Sequence, residues 1–303
     1  MRIYVIGNEG QIARSLRDLA SQNIDIEIRC SSRPHVDVLR PESVERALNQ
    51  YSPDVVVNPA AYTAVDRAET DSNLAFSINR DGAANIALAA RRLNVPIIHL
   101  SSDYVFDGKK SSPYVETDPV APQSVYGRSK LAGEVAVAAA NERNIILRTS
   151  WVYAPFGSNF VRTILRLSSE RDRLRVVDDQ IGCPTYAPDI AQAIVTIAQT
   201  INSSGWHPDF AGLTHLAGPD RTTWFGFARQ IMQLVEAKGA RAATVDPITT
   251  ADYPTAAARP ANSCLNCDRL HSIFKVRLPA LSVSIETCLE RLLSNSYLAE
   301  SRS

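Results

Sequence analysis

The segment Arg2-Ile3-Tyr4-Val5-Ile6-Gly7-Asn8-Glu9-Gly10-Gln11-Ile12-Ala13 decides the fold of this chain. Its first part is rich in apolar, β-branched residues, which is typical of a strand buried on both faces of a parallel sheet. Gly7 and Gly10 follow, and an amphipathic segment covers residues 12–20. Glycines let the backbone approach a phosphate closely, and a helix N-terminus offers free N–H groups. The segment therefore predicts a phosphate site at the first strand-helix junction.

The alternation of strand and helix continues through the first half of the chain. Further strands are predicted at residues 24–29, 54–58 and 95–100 and within 144–153, where Trp151 and Tyr153 lie just past the end of the strand, with helices at residues 41–50 and 73–93. Such alternation predicts an α/β fold with a doubly wound, Rossmann-type parallel sheet. It becomes irregular from about Arg171, where loops separate short helices. We therefore expect a dinucleotide-binding domain at residues 1–170 and, at residues 171–303, mainly a smaller C-terminal substrate-binding lobe with some segments returning to the Rossmann sheet.

A candidate acid/base pair stands at the start of a later apolar-periodic segment. Tyr126 and Lys130 are four residues apart, so in a helix they lie on the same face. An ammonium near a phenol favours the phenolate, and we expect it to lower the tyrosine pKa toward neutral pH. Ser102 follows a strand whose carboxyl end faces the ligand crevice. Together they predict a catalytic set in which Ser102 polarises a carbonyl, Tyr126 delivers a proton and Lys130 tunes the tyrosine.

The residues after the second predicted strand indicate which dinucleotide binds. A carboxylate at this place suits the ribose of NAD, whereas a cation suits the 2′-phosphate of NADP. The chain carries Arg29 and Arg33 here and has no carboxylate before Asp37. We predict a preference for NADPH with NADH also accepted, and we count Asp37 and Val38 with the two arginines as candidate cofactor contacts. The alternative is that both arginines are solvated loop residues and that selectivity is slight.

The composition excludes several function classes. The 303 residues are 45% hydrophobic and carry 32 basic and 32 acidic side chains. Balanced charge without a Lys/Arg-rich run gives no electrostatic footprint for nucleic acid or for an anionic membrane, so a small molecule is the expected partner. The N-terminal apolar run is too short for a signal peptide or a membrane span, and we expect a cytoplasmic protein. Five scattered cysteines, including an isolated CxxC at Cys264 and Cys267, predict no metal site.

Seven motifs are spread along nearly the whole chain. They are Gly7-x-x-Gly10-Gln11, Val57-Asn58-Pro59-Ala60-Ala61-Tyr62-Thr63-Ala64-Val65-Asp66, Ser101-Ser102-Asp103-Tyr104-Val105-Phe106, Tyr126-Gly127-x-x-Lys130, Arg148-Thr149-Ser150-Trp151-Val152-Tyr153, Asp179-Gln180-x-Gly182-x-Pro184-Thr185 and Arg259-Pro260-x-Asn262-Ser263. This set resembles the extended short-chain dehydrogenase/reductases and, more narrowly, the dTDP-4-dehydrorhamnose reductase family. The last three motifs lie outside the generic cofactor fold, so they indicate the subfamily.

The resemblance implies reduction of the C4 keto group of dTDP-4-dehydro-L-rhamnose by NAD(P)H, which gives dTDP-L-rhamnose. It implies that Ser102, Tyr126 and Lys130 are catalytic and that Lys130 also binds the nicotinamide ribose. The implied cofactor contacts are Gly7, Gly10, Gln11, Ile12, Ala60, Ala61, Tyr62, Tyr126 and Lys130. The implied contacts with the nucleotide-sugar are Ser102, Asp103, Tyr104, Trp151 and Arg259. Some family members use Mg²⁺ at a dimer interface, but no compact carboxylate cluster in this sequence supports a metal, and both a monomer and a homodimer stay open.

Two other functions stay open from the sequence. A related nucleotide-sugar epimerase or dehydratase shares the Ser-Tyr-Lys set, although a dehydratase of this superfamily usually has an acidic pair where this chain has Asp103-Tyr104. A non-catalytic, NADP-binding regulatory subunit would retain the same fold. Oxidation of NADPH that depends on the 4-keto sugar would distinguish the reductase from such a regulator.

Overall fold

The computed structural model describes residues 1–21 and 25–294. Its strands are β1 (Arg2–Ile6), β2 (Glu27–Ser31), β3 (Val55–Asn58), β4 (Ile97–Ser102), β5 (Asn144–Thr149), β6 (Val152–Tyr153), β7 (Arg173–Val177), β8 (Ile181–Gly182), β9 (Thr185–Tyr186), β10 (Gly212–His215), β11 (Thr222–Thr223) and β12 (Thr244–Ile248). Its α-helices are α1 (Gln11–Ala20), α2 (Pro41–Tyr51), α3 (Val65–Ala68), α4 (Ser72–Phe76), α5 (Ala83–Arg92), α6 (Val125–Ala140), α7 (Phe160–Glu170), α8 (Ala187–Ser204), α9 (Trp224–Ala237), α10 (Asp268–Phe274) and α11 (Leu281–Leu293). A π-helical segment at Ser77–Gly82 joins α4 to α5.

Six strands form one parallel sheet in the order β10-β5-β4-β3-β1-β2. β3, β4 and β5 are buried along their whole length, as expected where helices cover both faces. The predicted doubly wound parallel sheet is confirmed. The strand order reverses between β1 and β3, and ligands of open α/β sheets bind in the crevice at the carboxyl ends of the strands at such a point. The residues that follow β1, β3 and β4 are therefore the candidates for ligand binding.

Alternate residues of β1 enter two different cores, one on each face of the sheet. Ile3 and Val5 pack in the core beneath α1 and α8. Tyr4 and Ile6 pack in the core beneath α2, α5 and α6. This alternation is what a pleated strand between two helical layers requires. Both layers hold the carboxyl end of β1 rigidly at the crevice.

The second half of the chain builds a further core beside the sheet. Side chains of α7, α9 and α11 pack there with the parallel pair β7 and β12. Within the same half, β10 joins the central sheet next to β5, and α8 packs on α1. The short pair of β6 with β9 joins the first half of the chain to the second, whereas the pair of β8 with β11 lies within the second half.

Several observed boundaries differ from the predictions. The second strand is at Glu27–Ser31 and not at 24–29, of which Ile24 lies outside the described residues. The helix predicted at 73–93 contains the π-helical segment, which inserts a residue into a helix without removing its apolar face. The strand predicted within 144–153 ends at Thr149, and Trp151, which was predicted to lie past its end, has a left-handed φ of 46°. β4 extends through Ser102.

Candidate active site

The first turn of α6 is fixed against the end of β4. Ser124 caps the helix by accepting a hydrogen bond from the Gly127 N–H at 3.1 Å. Glycine is required at 127, because a Cβ there would lie 2.2 Å from the Tyr104 carbonyl oxygen. The rings of Tyr126 and Tyr104 meet edge to face, with centroids 5.4 Å apart and planes at 78°. These contacts fix the position of Tyr126 relative to the loop that follows β4.

The structure brings Ser102 and Tyr126 together at this junction. Ser102 is the last residue of β4, and its Oγ donates a hydrogen bond to Asp103 Oδ1 at 2.8 Å. The same oxygen accepts a hydrogen bond from the Tyr104 N–H at 3.2 Å. The hydroxyls of Ser102 and Tyr126 share a hydrogen bond. Two of the three residues predicted to be catalytic are therefore in direct contact.

The phenol of Tyr126 keeps its proton at neutral pH. Burial raises its pKa above the ordinary tyrosine value, and the hydrogen bond with Ser102 lowers it by less. The expected lowering of this pKa by Lys130 is wrong in this structure. The Lys130 Nζ instead donates to the Leu100 carbonyl at 2.6 Å, and burial lowers the pKa of the ammonium itself to about 8. The four-residue spacing predicted a shared helix face, but it carried no information about burial.

A buried ion pair beneath α6 was missed by the sequence analysis. Arg148 Nε and Nη2 donate to the two carboxylate oxygens of Glu134 at 2.8 and 2.6 Å, and Ser101 Oγ donates to the same carboxylate at 2.5 Å. Glu134 lies one turn after Lys130, and its charge raises the pKa of that lysine against the effect of burial. The pair therefore supports the ammonium form of Lys130.

The turn between β1 and α1 fits a dinucleotide phosphate. No side chain caps α1, so the first N–H groups of the helix have no side-chain acceptor. A Cβ at Gly10 would meet no atom within 4 Å, which shows open space beside the turn. Gln11 donates to the Val152 carbonyl at 3.4 Å and accepts from Asn159 at 3.0 Å, while Ile12 packs on the core. Of the predicted contacts in this turn, Gly10 thus borders open space, whereas the side chains of Gln11 and Ile12 are engaged within the protein.

The loop after β3 carries Ala60, Ala61 and Tyr62 and is fixed by a residue that no motif indicated. Asn79, in the π-helical segment, accepts from the Tyr62 N–H at 2.7 Å and donates to the Tyr62 carbonyl at 3.2 Å. Its amide also donates to Ser129 Oγ at 2.8 Å. Asn79 therefore connects this candidate cofactor loop with α6.

The two arginines near the end of β2 lie in different surroundings. The guanidinium of Arg29 lies 4.9 Å from the centre of the Tyr51 ring, two residues before the strand ends. Arg33 lies beyond the end of the strand, is exposed, and lines a pocket together with Arg40 and Arg46. The basic side chains available to an anion at this edge are therefore those of the pocket, and two of them were not singled out from the sequence.

The other residues of this edge are engaged within the protein. Asp37 accepts a hydrogen bond from the Leu39 N–H at 3.0 Å, and the Val38 carbonyl accepts one from Asn85 at 2.9 Å. Burial raises the pKa of the Cys30 thiol to about 11, so the end of β2 carries no negative charge from this residue at neutral pH.

The loop at residues 253–263 brings Arg259 toward the tyrosines. Arg259 Nη2 lies 2.6 Å from Asp66 Oδ2, and the same carboxylate accepts from the Ala257 N–H at 3.0 Å. Arg259 also forms a hydrogen bond with Tyr104, whose pKa burial raises to about 12. The cation predicted to meet the nucleotide-sugar is thus paired with a carboxylate and lies next to a tyrosine of the candidate site.

The remaining predicted substrate contacts are Asp103 and Trp151. Asp103 is buried, and burial raises its pKa to about 6 against opposing hydrogen bonds, of which that from Ser263 is the largest. Trp151 stacks on Trp224, a residue that the sequence analysis did not single out. Asp103 adjoins Ser102, and Trp151 follows the end of the neighbouring strand.

Among residues 1–21 and 25–294, no group of three or more His, Cys, Asp or Glu side chains is arranged to hold a metal ion. No helix in this described part of the chain is long and apolar enough to cross a membrane.

Comparison with known proteins agrees with this geometry. The family described as RmlD substrate binding domain matches residues 1–294. The chain belongs to this family. The resemblance drawn from the seven motifs is thereby confirmed, since RmlD-family relatives match nearly the whole chain. One of them, the dTDP-4-dehydrorhamnose reductase of Sinorhizobium fredii, is 48% identical over 279 residues, which is 92% of this chain and 93% of that protein.

Solved structures of RmlD-family relatives share the fold. The dTDP-4-dehydrorhamnose reductase of Clostridium acetobutylicum superposes with a TM-score of 0.88 at 33% identity, covering 96% of this chain and 99% of the other. The dTDP-4-dehydrorhamnose reductase of Bacillus anthracis, solved in complex with NADP, superposes with a TM-score of 0.86 at 32% identity, covering 95% and 98%.

Proposed function

We propose that this protein uses NADPH to reduce the C4 keto group of dTDP-4-dehydro-L-rhamnose, giving dTDP-L-rhamnose. The observation that carries the proposal is the hydrogen bond between Ser102 and a protonated Tyr126, with Lys130 one helical turn away. The relatives from Sinorhizobium fredii and Clostridium acetobutylicum, both named dTDP-4-dehydrorhamnose reductase, support this choice of substrate and reaction.

Tyr126 is the proton donor in the proposed mechanism. Reduction turns the C4 carbonyl oxygen into an alkoxide that needs a proton, and a phenol that stays protonated at neutral pH is in the form that can give one. Ser102, which shares a hydrogen bond with this hydroxyl, orients the C4 oxygen beside it. The nicotinamide, when bound, supplies the hydride. Lys130, whose ammonium lies on the Leu100 carbonyl in this structure, would bind the nicotinamide ribose.

We assign the cofactor to the crevice between β1 and β3. Its pyrophosphate would lie on the turn of Gly7, Gly10, Gln11 and Ile12, where no side chain caps α1 and space is open beside Gly10. Ala60, Ala61 and Tyr62 would line its nicotinamide half, and Asp37 and Val38 stay predictions for its adenosine half. The NADP complex of the Bacillus anthracis relative supports NADPH as a cofactor. The preference for NADPH over NADH and the use of NADH as a second cofactor stay predictions.

Arg33 is the residue to which we assign the 2′-phosphate of NADPH. It lies in the pocket beyond β2 with Arg40 and Arg46, and these three guanidinium groups outnumber the two carboxylates of Asp37 and Glu42 that line the same pocket. Arg29 stays a weaker prediction, because its guanidinium already lies over the Tyr51 ring.

We assign the nucleotide-sugar to the other side of the catalytic set, at Ser102, Asp103, Tyr104, Trp151 and Arg259. Arg259 is the residue that suits the diphosphate, since a guanidinium can donate two parallel hydrogen bonds to it. Binding of the diphosphate would replace part of the ion pair between Arg259 and Asp66.

We also assign the lobe at residues 171–303 mainly to substrate binding and residues 1–170 to the dinucleotide, with residues 295–303 outside the described part. A cytoplasmic location and a monomeric or homodimeric state stay predictions, and Mg²⁺ has no part in the proposal.

The test is a coupled measurement of cofactor and sugar. Purified protein is mixed with NADPH alone and with NADPH plus the 4-keto sugar, and the NADPH absorbance is followed while the sugar nucleotide is analysed by mass. We expect oxidation only with the sugar, one NADPH per product, and a product heavier by two hydrogens. A regulatory subunit would bind NADPH without oxidising it. An epimerase or dehydratase would change the sugar without net use of NADPH, and either result would reject the proposal.

A further inference from the structure

Trp151 and Trp224 form an unusual aromatic pair. Their ring centroids are 3.4 Å apart and their planes are 5° from parallel. Aromatic pairs ordinarily prefer an offset or edge-to-face arrangement with centroids about 4.5–7 Å apart. Trp151 also has a φ of 46°, a left-handed conformation that a bulky residue rarely adopts. Costly arrangements of this kind persist only where the surrounding structure enforces them, and they concentrate at functional sites.

The backbone around the two indoles enforces the pair. β8 and β11 are antiparallel, with Thr222 opposite Gly182, so the residue that starts α9, Trp224, is carried close to β8. A Cβ at Gly182 would lie 2.2 Å from the Trp151 indole, so only glycine leaves room for that ring. The Thr223 side chain caps α9 and fixes where Trp224 begins the helix. Three separate segments thus hold the two rings face to face.

The stack lies near the catalytic set. Trp151 follows β5 by two residues, and the last residue of β5, Thr149, pairs with Ser102 in the sheet. Both indoles are only half-buried, so the stack keeps surface that a ligand can cover. In the proposed reaction, the C4 atom of the hexose must lie beside Ser102. Flat aromatic surfaces pack well against the apolar face of a sugar ring.

We propose that Trp224 is a positioning residue for the substrate: it holds Trp151 so that the two indoles form one rigid platform for the hexose ring of the nucleotide-sugar. This inference rests on the proposed function and adds a residue to it. The platform is preformed, so little side-chain freedom is lost when the sugar binds. Trp224 itself need not touch the sugar, because its effect is transmitted through the orientation of Trp151.

Kinetics separate positioning from general stability. Trp224→Leu keeps an apolar side chain but removes the stack, and it should raise KM for the 4-keto sugar about tenfold while leaving KM for NADPH within about twofold. Trp224→Phe should recover most of the loss, to within about threefold of wild type. Equal KM values for the sugar in Trp224→Leu and wild type would overturn the proposal, as would parallel increases in both KM values.

Circular dichroism reports the stack directly. Closely stacked indoles couple and give a paired positive and negative band in the far ultraviolet when their in-plane transition dipoles are twisted relative to each other. The third tryptophan, Trp206, packs edge to face on Phe210 and provides the matched control. The coupled band should disappear in Trp151→Phe and in Trp224→Phe and persist in Trp206→Phe. Survival of the band in Trp224→Phe would show that the stack does not exist in solution.

Ligand binding, measured without turnover, identifies which part of the nucleotide-sugar contacts the platform. dTDP-L-rhamnose should bind Trp224→Leu about tenfold more weakly than wild type, whereas dTDP, which lacks the sugar, should bind both equally. Equal losses for both ligands would place the pyrimidine base on the stack and overturn the assignment to the hexose. Because this comparison needs no reaction, it decides the role of the stack even if the proposed reduction is not observed.

Discussion

Replacing Glu134 by glutamine keeps the shape of a buried side chain and removes its charge. In the protein, Glu134 accepts two hydrogen bonds from Arg148, and the two side chains are 4% and 1% exposed. The substitution leaves the Arg148 guanidinium buried near the Phe106 ring, 4.9 Å from its centre, without a counter-charge. Breaking a buried pair by removing one partner is strongly destabilising, because the remaining charge stays out of water.

Two separate effects follow from this substitution. The loss of stability should be about 3–5 kcal/mol, which for a chain of this size lowers Tm by on the order of 10 °C. The second effect concerns Lys130, whose pKa burial lowers to about 8 while the Glu134 charge raises it. Removing that charge takes away the raising contribution, so the Lys130 pKa falls further and the ammonium is lost at a lower pH. If the ammonium is needed for reduction, the basic limb of the kcat/KM profile moves to lower pH.

A second variant separates the two effects. Glu134→Leu combined with Arg148→Met removes both charges, so it should regain most of the lost Tm, while the basic limb stays displaced. Glu142→Gln, at an exposed carboxylate just after α6, is the control and should change neither quantity. Melting followed by circular dichroism and the pH dependence of NADPH oxidation provide the measurements. The reasoning is refuted if Glu134→Gln melts within about 2 °C of wild type, or if the double variant restores the pH profile along with Tm.

Three further predictions test the proposed roles. Tyr126→Phe should lower kcat by about 10²–10⁴-fold with NADPH binding nearly unchanged, measured by steady-state kinetics and cofactor titration, and retention of more than about a tenth of kcat would exclude Tyr126 as the acid. Arg259→Ala should raise KM for the nucleotide-sugar by about one to two decades and KM for NADPH far less, whereas small and equal changes would indicate that Arg259 serves only its pair with Asp66. Arg33→Ala should lower the ratio of kcat/KM for NADPH to that for NADH, while Arg29→Ala should change the ratio less, and the opposite ranking would contradict the assignment of the 2′-phosphate.

The fold could be predicted because its signals are local in the sequence. The apolar run of β1 stands directly before the glycine turn, and β3, β4 and β5, which are buried along their whole length, each contain a short apolar run. The sequence could also predict that Ser102 and Tyr126 lie close together, because the carboxyl ends of parallel strands face one crevice. The substrate roles came instead from the resemblance to a family, because no spacing or periodicity points to a sugar.

The partners that set the chemistry of the site could not be predicted, because they depend on distances across the fold. Glu134 reads in the sequence as an ordinary helical carboxylate, and only the fold shows that it meets Arg148 in the interior. The pKa of Tyr126 was predicted in the wrong direction for the same reason, since burial exceeds what neighbouring residues in the sequence contribute. Asn79 lies in a π-helical segment whose apolar pattern does not differ from that of an α-helix.

The Tyr-x-x-x-Lys pair owes its geometry to tertiary contacts of α6 more than to its spacing. Gly127 approaches the Tyr104 backbone, Ser129 is bonded to Asn79, Lys130 to the Leu100 carbonyl, and Glu134 to Arg148. These contacts reach four different segments of the chain, and they lie within about two turns of α6. A shift of α6 by one residue would break all of them together, so the helix has a single position relative to β4. That single position is what keeps the Tyr126 hydroxyl on Ser102, and a solvated helix face with the same spacing would lack it.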